Sequence, residues 1–220
     1  MLFYTKYALL LLSVMTMGGC SQKFSDINAT LNEALFGLPD VPISKQSVQS
    51  IPYASIKVNL NDGPSIVMVL AFADTDPVSG QVMLKWMSED GAMLVTQNGR
   101  IIKTLNLYDA NLLHIELPST IYEGKSYELS YDAFYDWQPG YSYSQKASVT
   151  SKALEKSTIT SYIWNKETTL IEETVEFIDL GIKHQNQYYY DTNNTVVKSN
   201  QWLVPNKLNI KYELLKPYHE

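Results

Sequence analysis

Apolar and polar residues alternate with a period of two from about Gln46 onward, and this pattern restricts the fold more than any other feature of the chain. In the first such segment, Ile56, Val58 and Leu60 alternate with polar neighbours. Side chains two residues apart share one face of a strand, so each segment presents an apolar face and a polar face. Strands of this kind must pair and bury their apolar faces, which predicts an all-β fold.

Short turn sequences separate the first strands, and each contains residues that tolerate positive φ: Asn61-Asp62-Gly63, Glu89-Asp90-Gly91 and Asn98-Gly99. Two of these turns join three predicted strands over residues 81–88, 92–97 and 100–105. This arrangement predicts an antiparallel meander. A nearly continuous apolar run over residues 65–73 predicts a central strand buried on both faces.

Later segments also have the composition of strands: residues 126–136, 141–148, 157–165, 170–179, 187–191, 195–201 and 207–215. Only residues 109–117 leave room for a short helical turn. Residues 86–99 and 188–201 both read as aromatic strand, acidic turn, aliphatic strand and polar turn. Two explanations of this similarity remain open. One is an internal duplication with halves of about 46–117 and 126–217, and the other is a pair of generic hairpins. We predict one antiparallel domain, either a barrel or a sandwich curled toward a barrel.

The N-terminal segment predicts an export signal followed by one amphipathic helix. Residues 1–19 read as a signal peptide, with an apolar run too short to span a membrane. Cys20, the only cysteine, follows Met17-Gly18-Gly19 and resembles a lipoprotein acylation site; ordinary cleavage beside an incidental cysteine is the alternative. After an anchor and linker over residues 20–23, the domain would occupy residues 24–220. Its helix is indicated by the stripe Phe24, Ile27, Leu31 and Leu35.

This anchor predicts where the protein works. Several acyl chains on Cys20 would hold the chain stably on a membrane. Ser21 follows the cysteine, and by resemblance to enterobacterial sorting it favours the periplasmic face of the outer membrane over the inner membrane. The amphipathic helix would dock on the domain or lie on the bilayer.

The charge of the chain excludes some classes of partner. The net charge is −6, which argues against nucleic acid as a partner. Arg100 is the only arginine, so no arginine cluster for phosphate or carboxylate exists. We expect Arg100 to bond a carboxylate within the chain, either Asp136 or Glu172, or to face a partner.

The sequence offers weak candidates for catalysis and none for a cofactor. His114, His184 and His219 lie on separate segments without metal-ligand spacing, so no metal site is predicted. Glu172 and Glu173 are adjacent on a predicted strand and must point to opposite faces. Asp136 could meet one of them across the sheet, as in glycan hydrolases or lyases. A structural role for these carboxylates is the preferred interpretation.

Aromatic residues are abundant, with 16 tyrosines and four tryptophans. Strand propensity explains most of this excess. The densest patch spans residues 131–143 and includes Trp137 beside Asp136. Strand alternation would bury about half of its rings, and the exposed ones could form a platform for a sugar or another protein.

Many short motifs in one order resemble the YjbF/GfcB family of group 4 capsule and exopolysaccharide lipoproteins. The motifs are Ile51-Pro52-Tyr53, Trp86 with Ser88 and Asp90, residues 92–96, Asn98-Gly99-Arg100, Lys103-Thr104, Asp136-Trp137, Glu172-Glu173, residues 189–191, Ser199, Gln201-Trp202 and Lys216-Pro217. The resemblance spans nearly the whole mature chain. It implies a lipid-anchored protein of the periplasmic face, and it carries over no catalytic residue.

Together these observations predict a non-catalytic accessory of capsular polysaccharide or exopolysaccharide secretion. Its partners would be the membrane, the polysaccharide or proteins of the export apparatus. Candidate binding or structural positions are Trp86, Asn98, Arg100, Asp136, Trp137, Glu172, Glu173, Gln201 and Trp202. Two alternatives remain: a glycan-processing enzyme with paired carboxylates, which needs a deep cleft, and a carrier of lipid or another apolar ligand, which needs an open barrel with an apolar interior.

Overall fold

The structure is a computed structural model that describes residues 43–77, 79–118, 121 and 128–218. The predicted signal peptide, Cys20 and the predicted N-terminal amphipathic helix lie outside the described residues. In the described part of the chain, no helix has the length and apolar character needed to cross a bilayer.

The described residues form twelve strands, one short helix and one 3-10 turn. The helix, α1, spans Lys45–Ser50, and the 3-10 turn spans Ile178–Leu180. The strands are β1 Ser55–Leu60, β2 Ser65–Thr75, β3 Val82–Met87, β4 Met93–Gln97, β5 Arg100–Leu105, β6 Asn111–Glu116, β7 Ser130–Gln138, β8 Ser142–Thr160, β9 Asn165–Phe177, β10 Ile182–Asp191, β11 Val196–Val204 and β12 Leu208–Lys216.

The strands form one antiparallel sheet that curls into a nearly closed barrel. The sheet order runs from β5 back to β1, then from β12 back to β6. The first and last strands therefore pair, with Val58 opposite Tyr212. This confirms the predicted all-β fold and selects the barrel over the sandwich.

Side chains bridge the seam between β5 and β6. Thr104 Oγ1 donates to Asn111 Oδ1 at 3.1 Å and accepts from the backbone N–H of Leu112 at 2.9 Å. Thr104 is fully buried and Asn111 is nearly so. Buried polar groups at the edges of the two strands thus find partners without a continuous backbone ladder.

Two predicted turns are present, one after the first strand and one within the first meander. Asn61 and Asp62 have φ of 48° and 59°, and Asn98 and Gly99 have φ of 48° and 78°. Two successive residues with positive φ match the right-handed twist of the strands that they join. The three predicted strands of this meander correspond to β3, β4 and β5.

Four predictions for the other elements were wrong. Residues 109–117 hold β6 rather than a helical turn, because they pair with β7 at the seam. The predicted strand 141–148 and the first residues of the predicted strand 157–165 form one strand, β8, because the exposed segment 152–156 continues the strand instead of ending it. In β2 only the adjacent residues Met68 and Val69 are buried, so this strand is buried on both faces at that point and not along its length. The period-two alternation predicted from about Gln46 was wrong for its first residues, which belong to α1 because Ser44 caps a helix there.

Helix α1 begins at a capping box. Ser44 and Ser47 exchange hydrogen bonds between side chain and backbone N–H, at 3.1 Å and 2.8 Å. Val48 is the buried residue of this helix. Lys216, at the end of β12, donates to the carbonyls of Gln49 and Ile51, so the helix is tied to the barrel.

The connections divide between the two ends of the barrel. One end carries the Asn98–Gly99 turn, the β10–β11 turn and the C-terminal end of β12. The opposite end carries the turns that follow β1, β3, β5, β7, β9 and β11. The two segments with similar sequence form β3–β4 and β10–β11, which turn at opposite ends. Asn98 lies in a turn, whereas the aligned Asn200 lies within β11.

Candidate functional site

A cavity opens at the end of the barrel that carries the Asn98–Gly99 turn. Its volume is about 390 Å³, within the range of small-molecule sites. The wall is mainly apolar and consists of Ile56, Val82, Leu84, Trp86, Val196, Tyr212 and Leu214. The rim is mainly polar and includes Asn98, Lys166, Asp191, Asn193, Thr195 and Tyr218. We call this site the barrel-end cavity.

Trp86, a predicted candidate, forms part of the cavity wall. Its side chain projects inward from β3 and is almost entirely buried. The indole N–H donates to Thr96 Oγ1 on β4 at 2.8 Å. With its polar group satisfied, the ring offers the cavity an apolar surface of the kind that stacks on sugars or apolar groups.

The Asn98–Gly99 turn packs closely against the opposite wall. A Cβ atom at Gly99 would lie 2.2 Å from Val196 Cβ, so the position accepts only glycine without rearrangement. The Gly99 carbonyl accepts hydrogen bonds from Tyr212 Oη at 3.0 Å and Gln201 Nε2 at 3.1 Å. Asn98 Nδ2 donates to Gln81 Oε1 at 3.0 Å on the outside.

Gln201, another predicted candidate, holds the start of β5 from the far side of the barrel. Its Oε1 accepts from the backbone N–H of Ile101 at 3.0 Å, and its Nε2 donates to Ser199 Oγ at 2.8 Å. The side chain is fully buried. The role of Gln201 is therefore to fix the hairpin that forms one side of the cavity.

A buried ion pair lies beneath this hairpin. Arg100 Nη1 donates to Glu173 Oε2 at 2.7 Å, and Arg100 Nη2 contacts Glu173 Oε1. Arg100 thus bonds a carboxylate within the chain, but the predicted partners, Asp136 and Glu172, were wrong. The phase of β9 explains this, because Glu173 points inward with Ile171 and Val175.

Tyrosines complete the surroundings of this pair. Arg100 Nη1 lies 3.1 Å from Tyr188 Oη, and the Tyr131 hydroxyl donates to Glu173 Oε1 at 3.3 Å. Burial raises the pKa of Tyr131 and Tyr188 despite the nearby guanidinium. Burial is the largest influence on Arg100 and lowers its pKa, but the Glu173 carboxylate and the hydroxyl groups of Tyr188 and Tyr131 together outweigh burial and hold the pKa above its ordinary value. The phenols stay neutral and Arg100 stays charged.

Asp191 and Lys166 form an ion pair at the cavity rim. The Lys166 Nζ to Asp191 Oδ2 distance is 2.5 Å, and Asp191 Oδ1 accepts from the backbone N–H groups of Asn193 and Thr195 at 2.9 and 3.0 Å. Burial raises the pKa of Asp191, but these hydrogen bonds outweigh burial and leave it below the ordinary value. Asp191 is therefore an ionised carboxylate that shapes the β10–β11 turn.

Glu172 and Asp136 lie outside the cavity. Glu172 faces outward from β9 and pairs with Lys152 at 3.2 Å. Asp136 accepts from the backbone N–H of Ser144 at 2.7 Å and so ties the β7–β8 hairpin together. Neither carboxylate shares a cleft with Glu173. Both make contacts that stabilise the fold, as expected from the structural role that we preferred for them.

Trp137 and Trp202 also lie away from the cavity. Trp137 is buried and packs edge-on against Phe177, with ring centroids 5.6 Å apart. Trp202 stacks on His184 at 4.7 Å. Burial lowers the pKa of His184, and its buried Nε2 has no hydrogen-bond partner in the described part of the chain.

The barrel-end cavity contains few ionisable side chains among its described lining residues. Among its described lining residues, Asp191 carries the single carboxylate, and that carboxylate is already engaged. Within the described residues, no three histidine, cysteine, aspartate or glutamate side chains gather as metal ligands. What the site does offer is an apolar aromatic wall with amide, hydroxyl and charged groups at its mouth.

Sequence reasoning missed several members of this site. Tyr212, Lys166 and Asp191 were not proposed as candidates, although residues 189–191 belong to the family motif. A signal for Asp191 existed, since an aspartate that begins an Asp-Thr-Asn-Asn turn commonly accepts backbone N–H groups. No local signal marks Lys166 or Tyr212, because the cavity forms only when distant strands close the barrel.

Comparison with known proteins assigns the chain to a family. A model of the family described as Group 4 capsule polysaccharide lipoprotein gfcB, YjbF matches residues 28–215. The uncharacterized lipoprotein YjbF of Escherichia coli (strain K12) is 31% identical over 216 residues, which cover 94% of this chain and 96% of YjbF. The uncharacterized lipoprotein GfcB of the same organism is 35% identical over 108 residues, which cover 48% of this chain and 47% of GfcB.

The fold also has a counterpart among crystal structures. The hypothetical lipoprotein YmcC from Escherichia coli (K12) superposes with a TM-score of 0.70, covering 82% of this chain and 92% of YmcC. The two sequences are 24% identical over this match. This similarity shows that the barrel fold is shared.

Proposed function

The chain belongs to the YjbF/GfcB family of group 4 capsule polysaccharide lipoproteins, and from this membership we propose that it is a non-catalytic accessory of capsular polysaccharide or exopolysaccharide secretion. In this role it binds the glycan rather than cleaving it. The barrel-end cavity is the proposed binding site.

The observation that carries the proposal is the composition of this cavity. Trp86 and Tyr212 line an apolar wall, and Asn98, Asn193 and Thr195 bring amide and hydroxyl groups to the rim. Sugar rings have apolar faces and polar edges, so they suit a wall of aromatic side chains beneath a polar rim. The cavity volume of about 390 Å³ can hold a short segment of a polysaccharide but not the whole polymer.

Two other functions fit the cavity less well. A glycan-cleaving enzyme needs two carboxylates flanking the bond, and the described lining residues include only Asp191, which Lys166 and backbone N–H groups keep ionised. A lipid carrier needs an apolar interior. Here the interior next to the Asn98–Gly99 turn, which lines the cavity, contains the buried charges of Arg100 and Glu173.

The proposed location is the periplasmic face of the outer membrane, with the chain anchored by acylation of Cys20. This part of the proposal is supported by the sequence Met17-Gly18-Gly19-Cys20-Ser21 and by the family's description as lipoproteins. An anchored binding protein would stay beside the point of export and act on the polysaccharide as it passes.

Secretion in the bacterium that encodes the chain tests this role. Deletion of the gene is expected to lower the polysaccharide outside the cell, and the wild-type chain is expected to restore it. Cys20→Ala, exported to the same level, should fail to restore secretion because it lacks the anchor. Normal secretion in the deletion strain would contradict the proposed role. Full restoration by Cys20→Ala would contradict the need for the anchor.

A further inference from the structure

Six exposed apolar side chains lie together at the end of the barrel opposite the cavity. They belong to the end of β5, the start of β8 and three neighbouring connections: β5–β6, β7–β8 and β9–β10. Among the described residues, Tyr53 and Leu154 are the only other large hydrophobic side chains with comparable exposure. We call this group the apolar arc, and it consists of Leu105, Tyr108, Tyr141, Tyr143, Ile178 and Leu180.

The apolar arc is strongly exposed and covers one side of this end. Tyr108 is 105% exposed, Tyr141 75% and Ile178 71%. The other three turns at this end expose polar residues: Asp62, Glu89, Asp90, Asn206 and Lys207. Scattered apolar residues are ordinary on a protein surface, but a contiguous group beside a polar half indicates an interaction site.

Packed aromatic side chains and a hydrogen bond beneath the apolar arc hold its residues in place. Phe177 lies directly before the β9–β10 turn, and its ring packs edge-on against Tyr135 at 5.1 Å and Trp137 at 5.6 Å. The hydrogen bond from the Ser144 N–H to Asp136 fixes the hairpin that carries Tyr141 and Tyr143. A surface fixed before binding loses less conformational entropy when a partner docks.

The charged residues in the three connections that carry the apolar arc are both acidic. Asp109 follows Tyr108, and Asp179 lies between Ile178 and Leu180; both are exposed. Within the described residues neither carboxylate has an ion pair or a hydrogen-bond partner. Residues 106–110, 139–141 and 178–181 contain no lysine or arginine.

We propose that the apolar arc docks a second, different protein whose contact surface is an apolar patch bordered by lysine or arginine. Tyrosine and aliphatic side chains would fill the centre of the interface, and Asp109 and Asp179 would pair with the basic border. This surface lies at the other end of the barrel from the cavity, so the proposal does not depend on glycan binding.

The same charges weigh against other occupants. A twofold dimer through the arc would place the carboxylates of two copies in one interface without lysine or arginine from the connections that carry the arc, which is unfavourable. A bilayer surface with anionic lipids attracts lysine and arginine rather than aspartate. A basic, partly apolar protein surface is the occupant that satisfies both features of the apolar arc.

Photocrosslinking of the full-length chain in the cells that produce it tests this proposal. Tyr141→p-benzoylphenylalanine and Tyr108→p-benzoylphenylalanine are expected to form an adduct with the same protein. Mass spectrometry of the adduct should map the contact to an apolar patch that contains lysine or arginine. Tyr53→p-benzoylphenylalanine, an exposed ring outside the arc, should not form this adduct.

Charge reversal separates specific docking from capture of a bystander. Asp109→Lys together with Asp179→Lys should lower the adduct yield at Tyr141 by about tenfold, since like charges would now face each other. Glu155→Lys, an equivalent change at an exposed position on β8, should leave the yield unchanged. An adduct with a second copy, an adduct with lipid, no adduct, or a yield insensitive to the double charge reversal would overturn the proposal.

Discussion

Arg100 and Glu173 come from strands four positions apart around the barrel, so their ion pair crosses the interior. A buried pair of this kind adds little compared with well-packed apolar residues, because both charges lose their hydration. Removal of one partner is different, since it leaves the other charge buried without compensation. Glu173 would keep only the hydrogen bond from Tyr131 at 3.3 Å among its described side-chain partners.

We therefore predict that Arg100→Met lowers the free energy of unfolding by about 3–5 kcal/mol. Urea denaturation followed by tryptophan fluorescence measures this loss. The matched control is Lys152→Met, which removes the partner of the neighbouring, outward-facing Glu172 and should cost less than about 1 kcal/mol. Equal losses of unfolding free energy in the two variants would contradict the prediction that breaking the buried ion pair costs more than breaking the exposed one.

The sequence alone could predict that Glu172 and Glu173 point to opposite faces, but not which of them meets Arg100. The first statement follows from strand geometry. The second needs the phase of β9 relative to the barrel interior, and Ile171, Val175 and Phe177 carried that information in retrospect. The partner of Arg100 is 73 residues away along the chain, beyond the reach of local patterns.

The β4–β5 hairpin is the element that joins the cavity to the interior. Asn98 and Gly99 supply its turn, and Gln201 and Tyr212 bond its Gly99 carbonyl from across the barrel. Local sequence predicted this hairpin well, because turn residues with positive φ act within a few positions. Its close contact with Val196 was not predictable, since that contact depends on how far the barrel closes.

Gly99→Ala tests this contact. The new methyl group would lie 2.2 Å from Val196 Cβ, so we expect a loss of about 1–3 kcal/mol of stability beyond the cost of positive φ. Gly91→Ala is the control, because Gly91 also has positive φ but has no atom within 4 Å of a Cβ. Thermal unfolding of both variants measures the difference, and equal melting temperatures would contradict the packing of the turn against Val196.

The barrel as a whole has two ends with different surfaces. One end contains the cavity with its aromatic wall and polar rim, and the other carries the apolar arc. From this difference between the two ends, we infer that the molecule binds a glycan at one end and a protein at the other. Such an arrangement suits an accessory of secretion, which must contact both the polymer and the apparatus that exports it.

Sequence reasoning reached the all-β fold and the first meander, but not the distribution of sites between the two ends. Trp86, Asn98, Arg100, Glu173 and Gln201 were selected individually and come together at or beneath the cavity. Asp136, Trp137, Glu172 and Trp202 were selected on the same grounds and lie elsewhere. They were selected by short motifs, by a turn and by residue type, and none of these specifies position along the barrel, which depends on register and closure.

Isothermal titration calorimetry of the full chain in detergent, with polysaccharide purified from the bacterium that encodes it, tests glycan binding most directly. The informative variant is Thr195→Trp, which places an indole at the exposed rim of the cavity, and Thr192→Trp is its control on the same turn outside the cavity. We predict that the wild type and Thr192→Trp bind alike and that Thr195→Trp binds at least about tenfold more weakly, a loss of about 1.4 kcal/mol. Absence of binding by the wild type, or unchanged affinity in Thr195→Trp, would contradict the account.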